Sequence, residues 1–346
     1  MKAAPVLRAL DVMAVRQVLI HTGQHYDGAM SDTFFQQLEL PEPVVNLDVG
    51  SGSHAQQTAD VMTRLEGFLE SNRPDVLVVY GDVNSTMAAA LVAAKSGIPI
   101  AHVEAGLRSF DRSMPEEINR LVTDSLSSVL FTPSPEADEN LRREGVNERS
   151  IHRVGNVMID TLVRLLPIVN ADELLARLKM SQGEPFVLVT LHRPSSVDDA
   201  DRLSDLIAVL CRLADDCPVV FPVHPRTKAR IPSDWVAPPN LHLLDPVGYL
   251  EFVALEKSAS LVVTDSGGVQ EETTYLGIPC LTFRDNTERP VTITEGTNKL
   301  VGRDPAKLLI EARRSLARPI SERKIPDLWD GRAAERIAAV LLEKFS

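Results

Sequence analysis

No stretch of this sequence reaches the ~18 consecutive apolar residues that a membrane-spanning helix needs. The opening MKAAPVLRAL also lacks the apolar core and cleavage site of a secretion signal, so the expected location is cytoplasmic. Cysteine is scarce. Cys211, Cys217 and Cys280 form no CxxC pair and are odd in number, which argues against a disulfide framework and gives no zinc spacing. Positive charge is in deficit: 36 Lys and Arg against 48 Asp and Glu give a formal charge of -12, which repels nucleic-acid backbones. A local cationic cluster can still hold one small anion. Repeats at solenoid periods and low-complexity tracts are missing too.

What is present is an ordinary globular balance, 44% apolar and 24% charged, over 346 residues. That length suits two domains of roughly 150 residues. Apolar runs recur at 17–21 (QVLIH), 75–80 (DVLVVY), 98–103 (IPIAHV) and 129–132 (VLFT), separated by helix-period segments such as SHAQQTADVMTRLEGFLE. The pattern restarts at 186–192, 218–224, 241–247, 260–265 and 278–283. Alternating strands and helices predict an α/β protein with two doubly wound parallel sheets. The first domain spans 1–158, the second 159–327, and a helix over 328–346, opened by Asp330 as its cap, is expected to pack back on the first.

In such sheets ligands bind outside the carboxyl ends of the strands. The polar loops TGQH, GDVNST, EAGLRS, HRPSS, HPRT and SGGVQEE all fall there. In TDSGGVQEE, Gly267 and Gly268 allow a phosphate to approach the backbone, and the helix that follows offers amide donors. A glycine pair also serves a tight turn, and Glu271 and Glu272 suit the dipole of a first turn as well as a ribose. Arg284 and Arg289 are fit for diphosphate oxygens or for salt bridges to Asp285 and Glu288. A nucleotide diphosphate held by Ser266, Gly267, Gly268 and Arg289 would make the second domain the nucleotide half. The first domain carries acids at Asp82, Glu104 and Glu116, which His192 could face. Carboxylates with an imidazole are the parts for proton transfer at a carbon and at a leaving oxygen, although Asp82 also suits a helix cap and Glu116 a first turn. His25, His192 and His224 lack HxH or HExxH spacing, so no metal is expected.

Taken in order, TGQHYD, GDVNSTMAAALVAAKSGIPIAHVEAGLRS, MPEEINR, VGNVMIDTL, LHR, FPVHPRT, PVGYLEFVALEKSASLVVTDSGGVQEE and FRDNTERPVTITEGTNKLVG resemble the non-hydrolysing UDP-N-acetylglucosamine 2-epimerase family over nearly the whole chain. The resemblance implies two Rossmann-like domains in the GT-B arrangement, an active site in the interdomain cleft, a homodimer, and no cofactor. It implies interconversion of UDP-GlcNAc and UDP-ManNAc through loss of UDP to a 2-acetamidoglucal and its re-addition, in the supply of ManNAc for cell-surface polysaccharide. Carried over residue by residue, it implies catalytic roles for Asp82, Glu104, Glu116 and His192. Substrate contacts fall on Lys2, Arg108, Ser266, Gly267, Gly268, Glu272 and Arg289, and an allosteric UDP-GlcNAc site on Gln24, His25 and His224.

Family members open with a short apolar strand and a GTRPEAIK loop, whereas MKAAPVLRAL begins in the helix that follows and keeps only Lys2 of that loop. Without that central strand, unpaired edges are expected inside the first sheet. A start codon assigned too late and a truncated UDP-sugar-binding remnant are the two explanations. A sister group of epimerases acting on a UDP-2,3-diacetamido uronate shares the MPEEINR form, and GT-B glycosyltransferases share the architecture; TERP and GTN favour the plain GlcNAc substrate.

Overall fold

The computed structural model describes residues 1–23, 37–181, 183–232, 234–317 and 324–345. The chain forms two compact units, one of Met1–Thr161 with Asp327–Ser346 and one of Leu162–Pro326.

In the first unit helix α1 (Ala3–Val12) precedes strands β1 (Ile20–His21) and β2 (Val45–Asn46), which pair in parallel as a small sheet. Helix α2 (His54–Ser71), strand β3 (Leu77–Tyr80), helix α3 (Asn84–Lys95), strand β4 (Ile100–Val103), helix α4 (Pro115–Leu126), and strands β5 (Val129–Thr132) and β6 (Ile151–Arg153) follow. The last four strands make a second parallel sheet in the order β3-β4-β5-β6. Among the described residues β3 has one ladder partner, β4, so the strands of this unit fall into two sheets rather than one. Helices cover both faces. Val6 and Leu10 of α1 pack with Val103, Phe131 and Ile337 on one side, and Leu65, Leu69, Ala90 and Ile100 pack on the other.

The closing helix, Ala333–Phe345, belongs to this unit and lies against α1. Its cap differs from expectation. Asp160 accepts from the amides of Ala333 (3.1 Å) and Ala334 (2.7 Å), while Asp330 takes Arg332 N at 3.1 Å and the guanidinium of Arg336. A carboxylate from a distant helix is better placed for the free amides than the one adjacent in sequence. Trp329, just before that helix, is buried and donates to Pro133 O at 3.0 Å.

The second unit holds one six-stranded parallel sheet, β7 (Val187–Thr190), β8 (Val219–Pro222), β9 (Leu241–Leu244), β10 (Leu261–Thr264), β11 (Cys280–Thr282) and β12 (Asn298–Leu300), in the order β12-β11-β10-β7-β8-β9. Alternation along β7 explains the layering: Val187 and Val189 face a core with Leu206, Leu210 and Phe221, while Leu188 faces one with Leu255 and Val262. Trp235 is half-buried against the first of these cores. The order reverses between β7 and β10, the switch point where open sheets bind ligands. Helices α5 (Tyr249–Ser258) and α6 (Gly267–Leu276) flank β10 in sequence.

Candidate active site

In the first unit the candidate acids sit at the carboxyl ends of β3 and β4. Asp82 follows β3, and its Oδ2 accepts from Arg120 Nε (3.0 Å) and from a terminal guanidinium nitrogen (2.6 Å). Glu104 follows β4, is 4% exposed, and lies 2.6 Å from Lys2 Nζ. Its backbone is in the left-handed region, φ 73°, although it is not glycine. Such a conformation costs of order 1 kcal/mol and persists where the surroundings impose it. Lys2 lies over Gly81, where a Cβ would come within 2.6 Å of Nζ; with φ +64°, that position requires glycine.

Glu116 is half-buried in the first turn of α4. Its neighbour Glu117 is buried, and accepts from Ser109 N (2.8 Å), Ser109 Oγ (3.0 Å), Phe110 N (3.0 Å) and Arg120 (2.7 Å). Arg120 thus ties Asp82 to Glu117, and Glu117 ties down the loop that leads from Glu104 to Glu116. Ser109 is therefore buried, while Phe110 is 75% exposed.

Arg108 turns away from a ligand role in this geometry. Its guanidinium is buried between Asp124 (2.7 Å) and Glu144 (2.6 Å). Asp124 also meets His102 Nδ1 at 2.6 Å and accepts from Gly106 N at 3.1 Å, and His102 Nε2 reaches Gly81 O at 2.8 Å. Burial alone would raise the Asp124 carboxyl, but His102 and Arg108 outweigh it and hold it below the usual range. This clamp fixes the loops after β3 and β4 together.

In the second unit the switch point brings His192 and Asp265 together. The buried Asp265 accepts from His192 N (3.0 Å) and Arg193 N (2.9 Å), and lies 3.2 Å from His192 Nδ1. That contact orients the ring. The ring of the exposed His224 is 5.5 Å away, with Nδ1 accepting from Arg226 N at 3.1 Å; burial, His192 and Arg226 lower its pKa. Gln24 and His25, expected to act with His224, lie outside the described residues.

Ser266 precedes α6, whose first residues are Gly267 and Gly268. A Cβ on Gly267 would meet the Arg289 guanidinium at 2.5 Å, so the glycine lets a cation lie directly on a helix N-terminus. Arg289 pairs with Glu271 at 2.6 Å and Glu288 at 3.4 Å, while Arg284 holds Glu288 at 2.6 Å. Glu272 is buried and accepts from Tyr249 OH at 2.6 Å. Burial and Glu271 push its carboxyl up to about 7, against the lowering by Tyr249. Glu256 is fully buried and pushed well above the usual range by burial and by Glu272.

A cavity of about 630 Å³ lies elsewhere, lined by Pro279, Gly296, Thr297, Lys299, Glu311 and Arg314 at the amino ends of β11 and β12. Among the described residues no group of three or more His, Cys, Asp or Glu is placed to hold a metal ion.

Two clusters therefore emerge, Lys2, Asp82 and Glu104 with Glu116 nearby in sequence on α4, and His192 and His224 with the Ser266–Gly268 turn, Arg289 and Glu272. Sequence reasoning did not point to the supporting residues Glu117, Arg120, Asp124, Asp265, Tyr249 and Glu256. Only Asp265 carried a local signal, as the residue ending a strand before a glycine turn.

The family model described as UDP-N-acetylglucosamine 2-epimerase matches residues 8–342. The chain is 43% identical to the UDP-N-acetylglucosamine 2-epimerase of Methanocaldococcus jannaschii, over 98% of this chain and 95% of that one. The crystal structure of the M. jannaschii UDP-GlcNAc 2-epimerase in complex with UDP-GlcNAc and UDP superposes with a TM-score of 0.89, at 42% identity, covering 99% of this chain and 96% of that one. The UDP-2,3-diacetamido-2,3-dideoxy-D-glucuronate 2-epimerase of Pseudomonas aeruginosa is 40% identical over 98% of this chain and 95% of its own.

Proposed function

The chain belongs to the UDP-N-acetylglucosamine 2-epimerase family, and from that premise we propose that it interconverts UDP-GlcNAc and UDP-ManNAc. UDP departs across C1 and C2 as C2 loses its proton. The resulting 2-acetamidoglucal regains a proton on its other face and UDP adds back.

The observation that carries the reading is the pair Asp82 and Glu104, which end adjacent parallel strands and meet different cations, Arg120 and Lys2. Removing a proton from one face and delivering one to the other calls for two groups at the same end of a sheet in unlike surroundings. Between them the two move the C2 proton, and Glu116 with His192 assists departure of UDP. Lys2 stabilises the charge that develops. In the second unit the α6 amides, Ser266, Gly267, Gly268 and Arg289 take the diphosphate, where preorganised donors favour the departing charge. Glu272 takes the ribose hydroxyls. His224 contributes to a regulatory UDP-GlcNAc site. The same reading includes a cytoplasmic homodimer serving polysaccharide synthesis.

Incubation with UDP-GlcNAc in heavy water tests the proposal. Deuterium should enter C2 of both epimers, and a protein that binds the nucleotide sugar without any C2 exchange would sink it. The similarity to the P. aeruginosa enzyme favours a second reading, in which the sugar is a UDP-2,3-diacetamido uronate. Turnover of that compound, with none of UDP-GlcNAc, would replace the first reading.

A further inference from the structure

Consecutive backbone carbonyls at the end of β3 are each held by a buried side chain from a different element. Thr86 Oγ1 of α3 donates to Tyr80 O at 2.8 Å, His102 Nε2 of β4 to Gly81 O at 2.8 Å, and Asn119 Nδ2 of α4 to Asp82 O at 2.8 Å. None of these side chains belongs to a residue more than 5% exposed. A carbonyl only accepts, so His102 Nε2 carries a hydrogen, and Asp124 holds the ring from its other side at 2.6 Å. Asn119 is held in turn. It also donates to Asn84 Oδ1 at 3.3 Å, and Asn84 Nδ2 donates to Gln57 Oε1 at 2.9 Å.

The turn these groups grip is the one that presents Asp82. Asn119 and Arg120 are adjacent on α4, and the first holds the Asp82 carbonyl while the second holds its carboxylate. Gly81, in the left-handed region beneath Lys2 Nζ, is enclosed from the opposite side. Main chain and side chain of one acid are thus fixed together, as a preorganised proton-transfer group requires.

We propose that His102 and Asn119 are positioning residues for Asp82: by holding the carbonyls of Gly81 and Asp82 they set the direction from which the Asp82 carboxylate meets the C2 proton. The inference rests on the reading of Asp82 as a proton-transfer group. A displacement of about 1 Å at a reacting group can cost about 100-fold in rate, whereas the nucleotide contacts assigned to the second unit are untouched. Loss of either hydrogen bond should therefore appear in kcat rather than in KM.

The test joins magnetic resonance of the full chain, labelled with heavy nitrogen at histidine, to the kinetics of C2 exchange from UDP-GlcNAc. In the parent, His102 Nε2 should carry a proton that exchanges slowly with solvent. A Gln side chain can bring its amide nitrogen to the place of Nε2, and an Asn side chain to that of Nδ1. His102→Gln therefore keeps the bond to Gly81, while His102→Asn keeps only the contact with Asp124. His102→Gln should stay within about threefold of the parent in kcat. His102→Asn and Asn119→Leu should fall by about 10-fold or more, with KM within about twofold. A histidine that served only the Asp124 clamp would give the reverse ranking, with Asn above Gln. That ranking, a bare Nε2, or losses that fall on KM would overturn the inference and leave the epimerase reading standing. A parent that binds UDP-GlcNAc with no C2 exchange would overturn both. If a His102 variant fails to fold, the parent's Nε2 proton and the Asn119→Leu kinetics decide.

Discussion

Glu104 combines a reactive side chain with a backbone conformation that favours glycine. These two properties can be separated by substitution. Glu104→Gln should lower C2 exchange by at least about 100-fold with little change in melting temperature, because the amide keeps the shape and loses the proton. Glu104→Gly should abolish exchange equally and leave the melting temperature equal or higher, since glycine relieves the positive φ. Full exchange by the Gln variant would remove Glu104 from the mechanism. Asp111→Ala and Arg112→Ala, on the loop that Glu117 anchors from beneath, should each stay within about 0.5 kcal/mol of the parent in stability and retain activity. Arg120 is the opposite case. Arg120→Met leaves the buried Glu117 without its cation and loosens Asp82, so urea denaturation should show a loss of about 3 kcal/mol along with the loss of exchange.

Between elements, the clamp of His102 on β4, Asp124 on α4 and Arg108 in the loop between them sets an acid limit. Because the folded Asp124 titrates below its ordinary value of 3.8, its contribution is present above that value and is lost as pH falls through the lower, folded one. Stability measured by denaturant titration toward acid should fall in that range, and Asp124→Asn should flatten the fall while lowering stability at neutral pH. The clamp also shows where the sequence was readable. Strands with apolar runs, such as Val129–Thr132, announce themselves by composition. Val45–Asn46, Ile151–Arg153 and Asn298–Leu300 do not: each is a strand of two or three residues with polar members that, among the described residues, is paired on one side only. Asp82, Glu104 and the glycine turn were legible because they follow strands directly. Arg120 and Asp124 were not, because a residue inside a helix reveals its partner only once the sheet has placed it, and the same holds for Asp160 as the cap of the last helix.

At the scale of the whole chain, the acid limit set by Asp124 and the alkaline limit set by Glu272 fall in different units. The Asp124 clamp in the first unit weakens in acid. In the second unit Glu256 and Glu272 have folded values raised above their ordinary 4.5, so their contribution is complete below that value and is lost as pH rises, for Glu272 through about 7. Moving from mildly acidic to mildly alkaline buffer should therefore lower the unfolding midpoint of the second unit relative to the first. A second-unit midpoint that held or rose relative to the first across that range would contradict this. The chain has two tryptophans, Trp329 buried in the first unit and Trp235 against a core of the second. Each unit thus carries its own tryptophan, and Trp235→Phe or Trp329→Phe turns the emission excited selectively from tryptophan, apart from the four tyrosines, into a label-free record of one half unfolding while the other contributes none.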